Sequence, residues 1–143
     1  MRVLAFLDDM EPVYQLRAEV LRPGAPPEES RYPSDRDPDT VHLGAFVGGR
    51  CVGVASFYRE NGIRLRGMAV EPERQGQGIG AALIRHGEYL AVAQGQDLWC
   101  NARDSAIGFY ERLGWVVEGQ GFDFPGHGPH HVMRWRRPTM SHT

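Results

Sequence analysis

The run Gln75-Gly76-Gln77-Gly78-Ile79-Gly80 places glycine at every second position just before an apolar pattern of helical spacing, Ile79, Ala82, Leu83, His86 and Leu90. At a helix start the backbone N–H groups lack intrahelical partners and the dipole is positive, so the two converge on one point that favours an anion. Glycines at 76, 78 and 80 remove the side chains that would hold a diphosphate away from those donors. Gly76-x-Gly78-x-x-Ala81 also fits the relaxed dinucleotide fingerprint, but that turn follows its strand almost directly and opens its domain. Here Glu71 to Gln75 intervene and three or four strands come first, so a dinucleotide half-sheet is excluded. His127, His130 and His131 suggest a metal, yet adjacent strand residues face opposite ways and no Cys or paired carboxylate accompanies them. No metal site is expected. Cys51 and Cys100 lie in apolar segments and read as two reduced core thiols.

The elements that must position the glycine run can be read on both sides of it. Met1 to Leu7 reads as a strand, and Asp9 can cap a helix carrying Pro12 in its first turn, with Val13, Leu16 and Val20 on one face. That helix stops by Pro23-Gly24, and residues 23 to 39 hold five prolines with Glu28, Glu29, Asp35, Asp37 and Asp39, a long, acidic, irregular loop. Strands His42–Val47, Cys51–Arg59 and Ile63–Val70 follow, joined at Gly48-Gly49 and Asn61-Gly62, dipeptides that favour hairpin turns. The period-2 alternation slips at Gly67, which predicts a β-bulge there. After the helix that ends near Gly95 comes a short strand, Asp97 to Cys100, so strand-helix-strand order predicts a parallel crossover. Asp104 can cap a further helix with Ala106, Phe109, Tyr110 and Leu113 on one face; Trp115–Val117 and Val132–Trp135 complete the sheet, separated by a Gly, Pro and His-rich stretch.

Composition narrows the chemistry further. The chain has 143 residues, with 16 Lys plus Arg against 18 Asp plus Glu for a net charge of −2, and every one of the 16 is Arg. Without Lys there is no Schiff base and no P-loop, and a near-neutral balance argues against nucleic acid. The Arg64/Arg66 and Arg134/Arg136/Arg137 clusters read as solvated strand faces. Apolar runs fall short of the ~18 residues of a membrane span and Asp8-Asp9 interrupts any signal peptide, so a cytoplasmic protein is expected.

Two separated motifs carry a resemblance. Gln75-x-x-Gly78-x-Gly80, preceded by Met68-Ala69-Val70, is similar to the pyrophosphate signature of the GNAT superfamily of acyl-CoA-dependent N-acetyltransferases, and Ala106-x-x-Phe109-Tyr110-Glu111-Arg112-Leu113-Gly114-Trp115 resembles its second signature. Residues 42 to 117 carry the likeness best. Where many members place Asn three residues before the Ala, this chain has Arg103, with Asn101 two positions earlier. The resemblance implies one α/β (α+β) domain over residues 1–143: a mixed, mostly antiparallel sheet of six to seven strands with a splayed parallel pair, flanked by about four helices.

It also implies acetyl-CoA as cosubstrate. Gln75, Gly76, Gln77, Gly78, Ile79 and Gly80 would hold its diphosphate, Met68 and Val70 would pair with the pantetheine, and a free N–H near Ala69 would polarise the thioester carbonyl. Asn101 would contact the pantetheine arm, Arg74 or Arg85 the adenosine phosphate, and Tyr110 would protonate the departing thiolate, as the family's Tyr does there. The general base is open among His130, His42, Glu29 and Tyr58, with His130 leading because it stands at the entrance to the last strand. The acceptor is a primary amine of a small molecule or peptide, the acidic loop hints that it is cationic, and a homodimer is compatible with the chain. A CoA-binding sensor without turnover is the alternative.

Overall fold

A computed structural model of the chain describes residues 1–6 and 8–138, so Leu7 of the expected first strand lies outside it. Seven strands form one mixed sheet: β1 (Arg2–Phe6), β2 (Val41–Val47), β3 (Arg50–Arg59), β4 (Ile63–Val70), β5 (Leu98–Arg103), β6 (Val116–Phe124) and β7 (Gly128–Trp135), in the order β1-β2-β3-β4-β5-β7-β6. The α-helices are α1 (Glu11–Leu16), α2 (Ile79–Gln94) and α3 (Ile107–Arg112). Pairings β1/β2, β2/β3, β5/β7 and β6/β7 are antiparallel and β4/β5 is parallel, the mixed sheet that the order of elements predicts. The chain divides into two compact units, Met1–Arg59 with Leu65–Gly87, and Glu60–Arg64 with Glu88–Thr143.

In the first unit, α1 lays Val13 and Leu16 on Val54 and Ala69, with Phe6, Met10, Val20 and Leu21 around them. The Asp9 carboxylate accepts the Glu11 N–H at 3.0 Å, the capping role expected of it, although Met10 holds the cap position. The helix does not run on regularly to Pro23: from Arg17 to Leu21 it widens into a π turn, and Arg17 becomes wholly buried. α2 comes close to the sheet because glycine permits it. A Cβ on Gly53 would meet Ile79 at 2.9 Å, and one on Gly87 would meet the Phe57 ring at 2.2 Å. Leu83 and Ile84 of α2 are fully buried, each stabilising the unit by about 2 kcal/mol.

Gly67, where a bulge is expected, has φ +69°, the left-handed backbone that such a bulge uses. A Cβ there would also stand 2.8 Å from Arg17 Nε and 3.0 Å from the Tyr32 ring. Gly67→Ala is therefore expected to cost ~1–2 kcal/mol for the left-handed backbone alone and more for displacing the buried guanidinium, read as a lower midpoint in urea unfolding. An unchanged midpoint would show that the strand re-registers without cost.

Several expected boundaries shift for physical reasons. The segment after α1 is not irregular: it forms 3₁₀ turns at Pro27–Ser30 and Pro33–Arg36, and Asp35 is buried rather than solvated. β5 runs on to Arg103 because its later residues pair with β7 out to Arg103↔His130. The stretch expected to be loop between Gly119 and His131 is largely strand, since β6 and β7 form a long hairpin whose register shifts between Glu118 and Phe122. Asp104 does not cap α3; its carboxylate takes His131 Nδ1 at 2.7 Å. Cys100 is buried but Cys51 is only half-buried, and both are free thiols. Nor are the arginine clusters plain solvated faces. Arg134 forks onto Glu118 at 2.6 and 3.1 Å, Arg136 and Arg137 approach Asp97, and Arg64 stacks on Trp99 while pairing with Glu60.

Candidate active site

In the first unit the end of β4 leads through the 3₁₀ turn Pro72–Arg74 into the glycine run and α2. Gly76 and Gly78 both have φ +82°, a conformation costly for other residues, and an added Cβ at either would meet nothing within 4 Å. The turn is thus built on backbone need and opens to free space. The Ala82 N–H bonds Gly78 O at 3.0 Å, which makes Gly78 the helix's first acceptor and leaves the amides before Ala82 without intrahelical partners. Gln75 differs from the rest: its N–H goes to Pro72 O at 3.3 Å and its side-chain amide donates to Val70 O at 3.1 Å. It clasps the turn to the strand. Gln77 reaches back to Glu73 O at 3.5 Å. The β4/β5 register comprises Ile63↔Leu98 and Arg64↔Trp99, and Leu65–Val70, including Met68, Ala69 and Val70, continue past it.

Behind Gly67 lies a buried polar cluster that sequence reasoning missed. Arg17 donates to both Asp35 carboxylate oxygens at 2.8 and 3.0 Å, to Ser30 O at 3.0 Å, and to Ser56 Oγ and Tyr58 Oη at 2.9 Å each. Tyr58 donates in turn to Asp35 at 2.6 Å. His42 Nε2 faces the Asp35 carbonyl, which only accepts, so Nε2 carries the proton and Nδ1 accepts the Ser56 hydroxyl at 2.6 Å. Burial would raise the Asp35 carboxyl, but hydrogen bonds from Arg17, Tyr58 and the Tyr32 N–H hold it below its ordinary value. Burial, aided by the Arg17 charge, holds His42 below its ordinary value, and burial pushes the Tyr58 phenol up. Of the four expected base candidates, Tyr58 bonds Arg17 directly, His42 bonds Ser56 and the Asp35 carbonyl beside it, and Glu29 pairs with Arg22 at 2.8 Å. One sequence signal existed: His42 and Ser56 are direct cross-strand partners inside otherwise apolar strands.

In the second unit, α3 turns Tyr110 inward, where it packs against Phe109 and Trp115 with ring centroids 5.2 Å away in each case. Its hydroxyl bonds the Cys100 thiol on β5, and burial, with Cys100 beside it, pushes the phenol well above its ordinary value. Burial likewise pushes Cys100 up to about 12. Trp115 is fixed by its indole N–H on buried Glu88 at 3.1 Å. His130 is buried against Phe122 and Phe124, centroids at 5.9 and 5.3 Å. Its Nδ1 donates to Gly128 O at 2.9 Å, so in the neutral ring Nε2 keeps its lone pair and is able to take a proton. Asn101 is half-buried, opposite Val132.

A model of the acetyltransferase (GNAT) family matches residues 7–115. The chain belongs to this family. The GNAT chain is 38% identical over 133 residues to YitI of Bacillus subtilis (strain 168), described as an uncharacterized N-acetyltransferase, covering 87% of this chain and 89% of that protein. Its fold is similar to the ribosomal-protein-S18-alanine N-acetyltransferase of Escherichia coli, with TM-score 0.82, 19% identity and 98% and 96% of the two chains covered. It is also similar to an acyl-CoA N-acyltransferase of Pseudomonas aeruginosa, with TM-score 0.78, 18% identity and coverage of 94% and 99%. The GNAT protein is therefore an acyl-CoA-dependent N-acetyltransferase acting on an amine acceptor, and nothing among these relatives favours a sensor without turnover. No helix among the described residues is long and apolar enough to cross a membrane.

Proposed function

We propose that residues 1–143 act as one cytoplasmic acetyltransferase domain that moves the acetyl group of acetyl-CoA onto a primary amine by direct attack. The observation that carries the CoA reading is the open glycine turn of α2, whose first bonded amide is Ala82. The backbone amides of Gly76, Gln77, Gly78, Ile79 and Gly80 hold the diphosphate, with Gln75 bracing the turn, and Arg74 or Arg85 serves the adenosine phosphate. Met68 and Val70 offer strand hydrogen bonds to the pantetheine, Asn101 a polar contact, and the Ala69 N–H stabilises the developing oxyanion.

The acceptor nitrogen forms its bond to the acetyl carbon as the carbon–sulfur bond breaks, the departing thiolate takes a proton from Tyr110, and the nitrogen's proton passes to His130 Nε2. An alkylammonium of pKa ~10.4 costs about 4–5 kcal/mol to deprotonate at pH 7, which is the work the base must lighten. Direct attack is favoured over an acyl-enzyme because Cys100, pushed to about 12, keeps its proton at neutral pH.

Calorimetric titration with CoA tests the turn. Gly78→Ala puts a side chain at φ +82°, ~1–2 kcal/mol of strain; the open surroundings let the turn relax in the free protein, so the strain is met on binding, and CoA is expected to weaken roughly tenfold with little change in thermal midpoint. Equal affinity in wild type and variant would remove the diphosphate from this turn.

A further inference from the structure

Two arginines alternate on β4 just before Gly67, and their surroundings differ. Arg64 pairs with Glu60 at 3.0 Å. Half-buried Arg66 places its guanidinium carbon 3.9 Å from the centroid of the Tyr32 ring, and among the described residues no carboxylate pairs with it. Of the loop's acids, Asp35 is committed to Arg17 and Glu29 to Arg22. Tyr32 is itself held, because its N–H donates to Asp35 at 2.8 Å and its ring also lies 4.1 Å from the Arg17 guanidinium. Arg31, on the same loop, rests on the Tyr14 ring at 4.7 Å, again with no carboxylate among the described residues. Beside Tyr32 the charge with no carboxylate partner among the described residues is therefore that of Arg66, although the loop as a whole is acidic.

A guanidinium stacked on an aromatic face is held flat and partly stripped of water while its in-plane N–H fork stays free, the arrangement that takes a carboxylate through two parallel hydrogen bonds. Resting on the reading above that the thioester carbonyl lies at Ala69, Arg66 stands about 10 Å back along the strand at ~3.3 Å per residue, a span that its own side chain and a short acceptor cover together. We propose that Arg66 binds a carboxylate of the acceptor, so that the substrate is an amino acid or short peptide whose carboxylate lies near the reacting amine, and not a polyamine.

The test uses the full chain with saturating acetyl-CoA and two matched pools: free amino acids and dipeptides, and the same compounds as C-terminal amides. Thiol release is expected to favour the acids at least tenfold in kcat/KM. Arg66→Met should bring the acid-to-amide ratio near one through a higher KM for acids, and Arg66→Lys should keep part of it. Arg36→Met, at an exposed arginine of the same loop, should leave the ratio as in wild type. Amides used as well as acids, no acid used at all, or Arg66→Met lowering both pools alike would each overturn the proposal. Calorimetry with CoA separates the layers: CoA binding with amine turnover indifferent to carboxylates sinks this inference alone, whereas loss of CoA binding sinks the reading of the glycine turn.

Discussion

Tyr110→Phe is expected to lower kcat by about two orders of magnitude while the affinity for acyl-CoA moves less than about threefold, since a positioned general acid contributes typically 10²–10⁴-fold. The substitution isolates the proton. The ring's contacts with Phe109 and Trp115 do not involve the hydroxyl, and what the hydroxyl loses is one bond to the Cys100 thiol, a weak acceptor worth roughly 1 kcal/mol or less. Thermal unfolding should therefore stay close to wild type, which separates chemistry from packing. Because burial holds the phenol well above its ordinary value, Tyr110 keeps its proton below about pH 10, and the wild-type rate should show no loss from its ionisation in the neutral range. A variant with kcat within about threefold of wild type would reduce Tyr110 to a core residue on the apolar face of α3.

Asp35→Ala should be the most damaging single change to stability in the first unit. It leaves Arg17, wholly buried, facing Ser56, Tyr58 and the Ser30 carbonyl with no counter-charge. Breaking a buried pair from one side costs about 3–5 kcal/mol, or roughly 10–15 °C in thermal midpoint for a chain of this size. Adding Arg17→Met should recover part of that loss, because the orphaned charge leaves with it, and strict additivity of the two changes would argue that the pair is not coupled. The same cluster sets an acid limit. His42 has a folded pKa below its unfolded value, so its contribution is complete above pH ~6.5 and is lost as the pH falls through the folded value. Asp35, also depressed, adds a second contribution, complete above pH ~4 and shed as the pH falls through its folded value. Urea midpoints from pH 8 to 3 should begin to decline below about 6.5, and His42→Asn should flatten the upper part of that decline. A wild-type profile flat down to pH 5 would contradict the assignment.

What could be read from the sequence was whatever depends on local backbone chemistry. Gly48-Gly49 and Asn61-Gly62 both adopt positive φ between paired strands, Gly67 takes the left-handed φ that a bulge uses, and α2 ends at Gln94 before Gly95 as its apolar spacing implied. The glycine turn was legible for the same reason, and the spacing of Ala106, Phe109, Tyr110 and Leu113 implied a helix that buries Tyr110, whereas its proposed role came only from the family resemblance. What escaped was long-range and polar. Arg17 and Asp35 are 18 residues apart, on a π turn and a 3₁₀ turn that leave no periodic trace, so an acidic run read as an irregular loop. The β6/β7 hairpin was hidden by glycines and histidines, which lower strand propensity without preventing pairing.

The anchorage of Asp35 on Arg17 has an engineering consequence. Tethered at its midpoint, the long connection between α1 and β2 behaves as two short spans, each with its own small closure entropy, so length changes in one should leave the other unmoved. Residues 23–28 and 37–40 are then the natural places to graft or extend chain when the acceptor range is to be redesigned, whereas 30–36 form a rivet that redesign should leave alone.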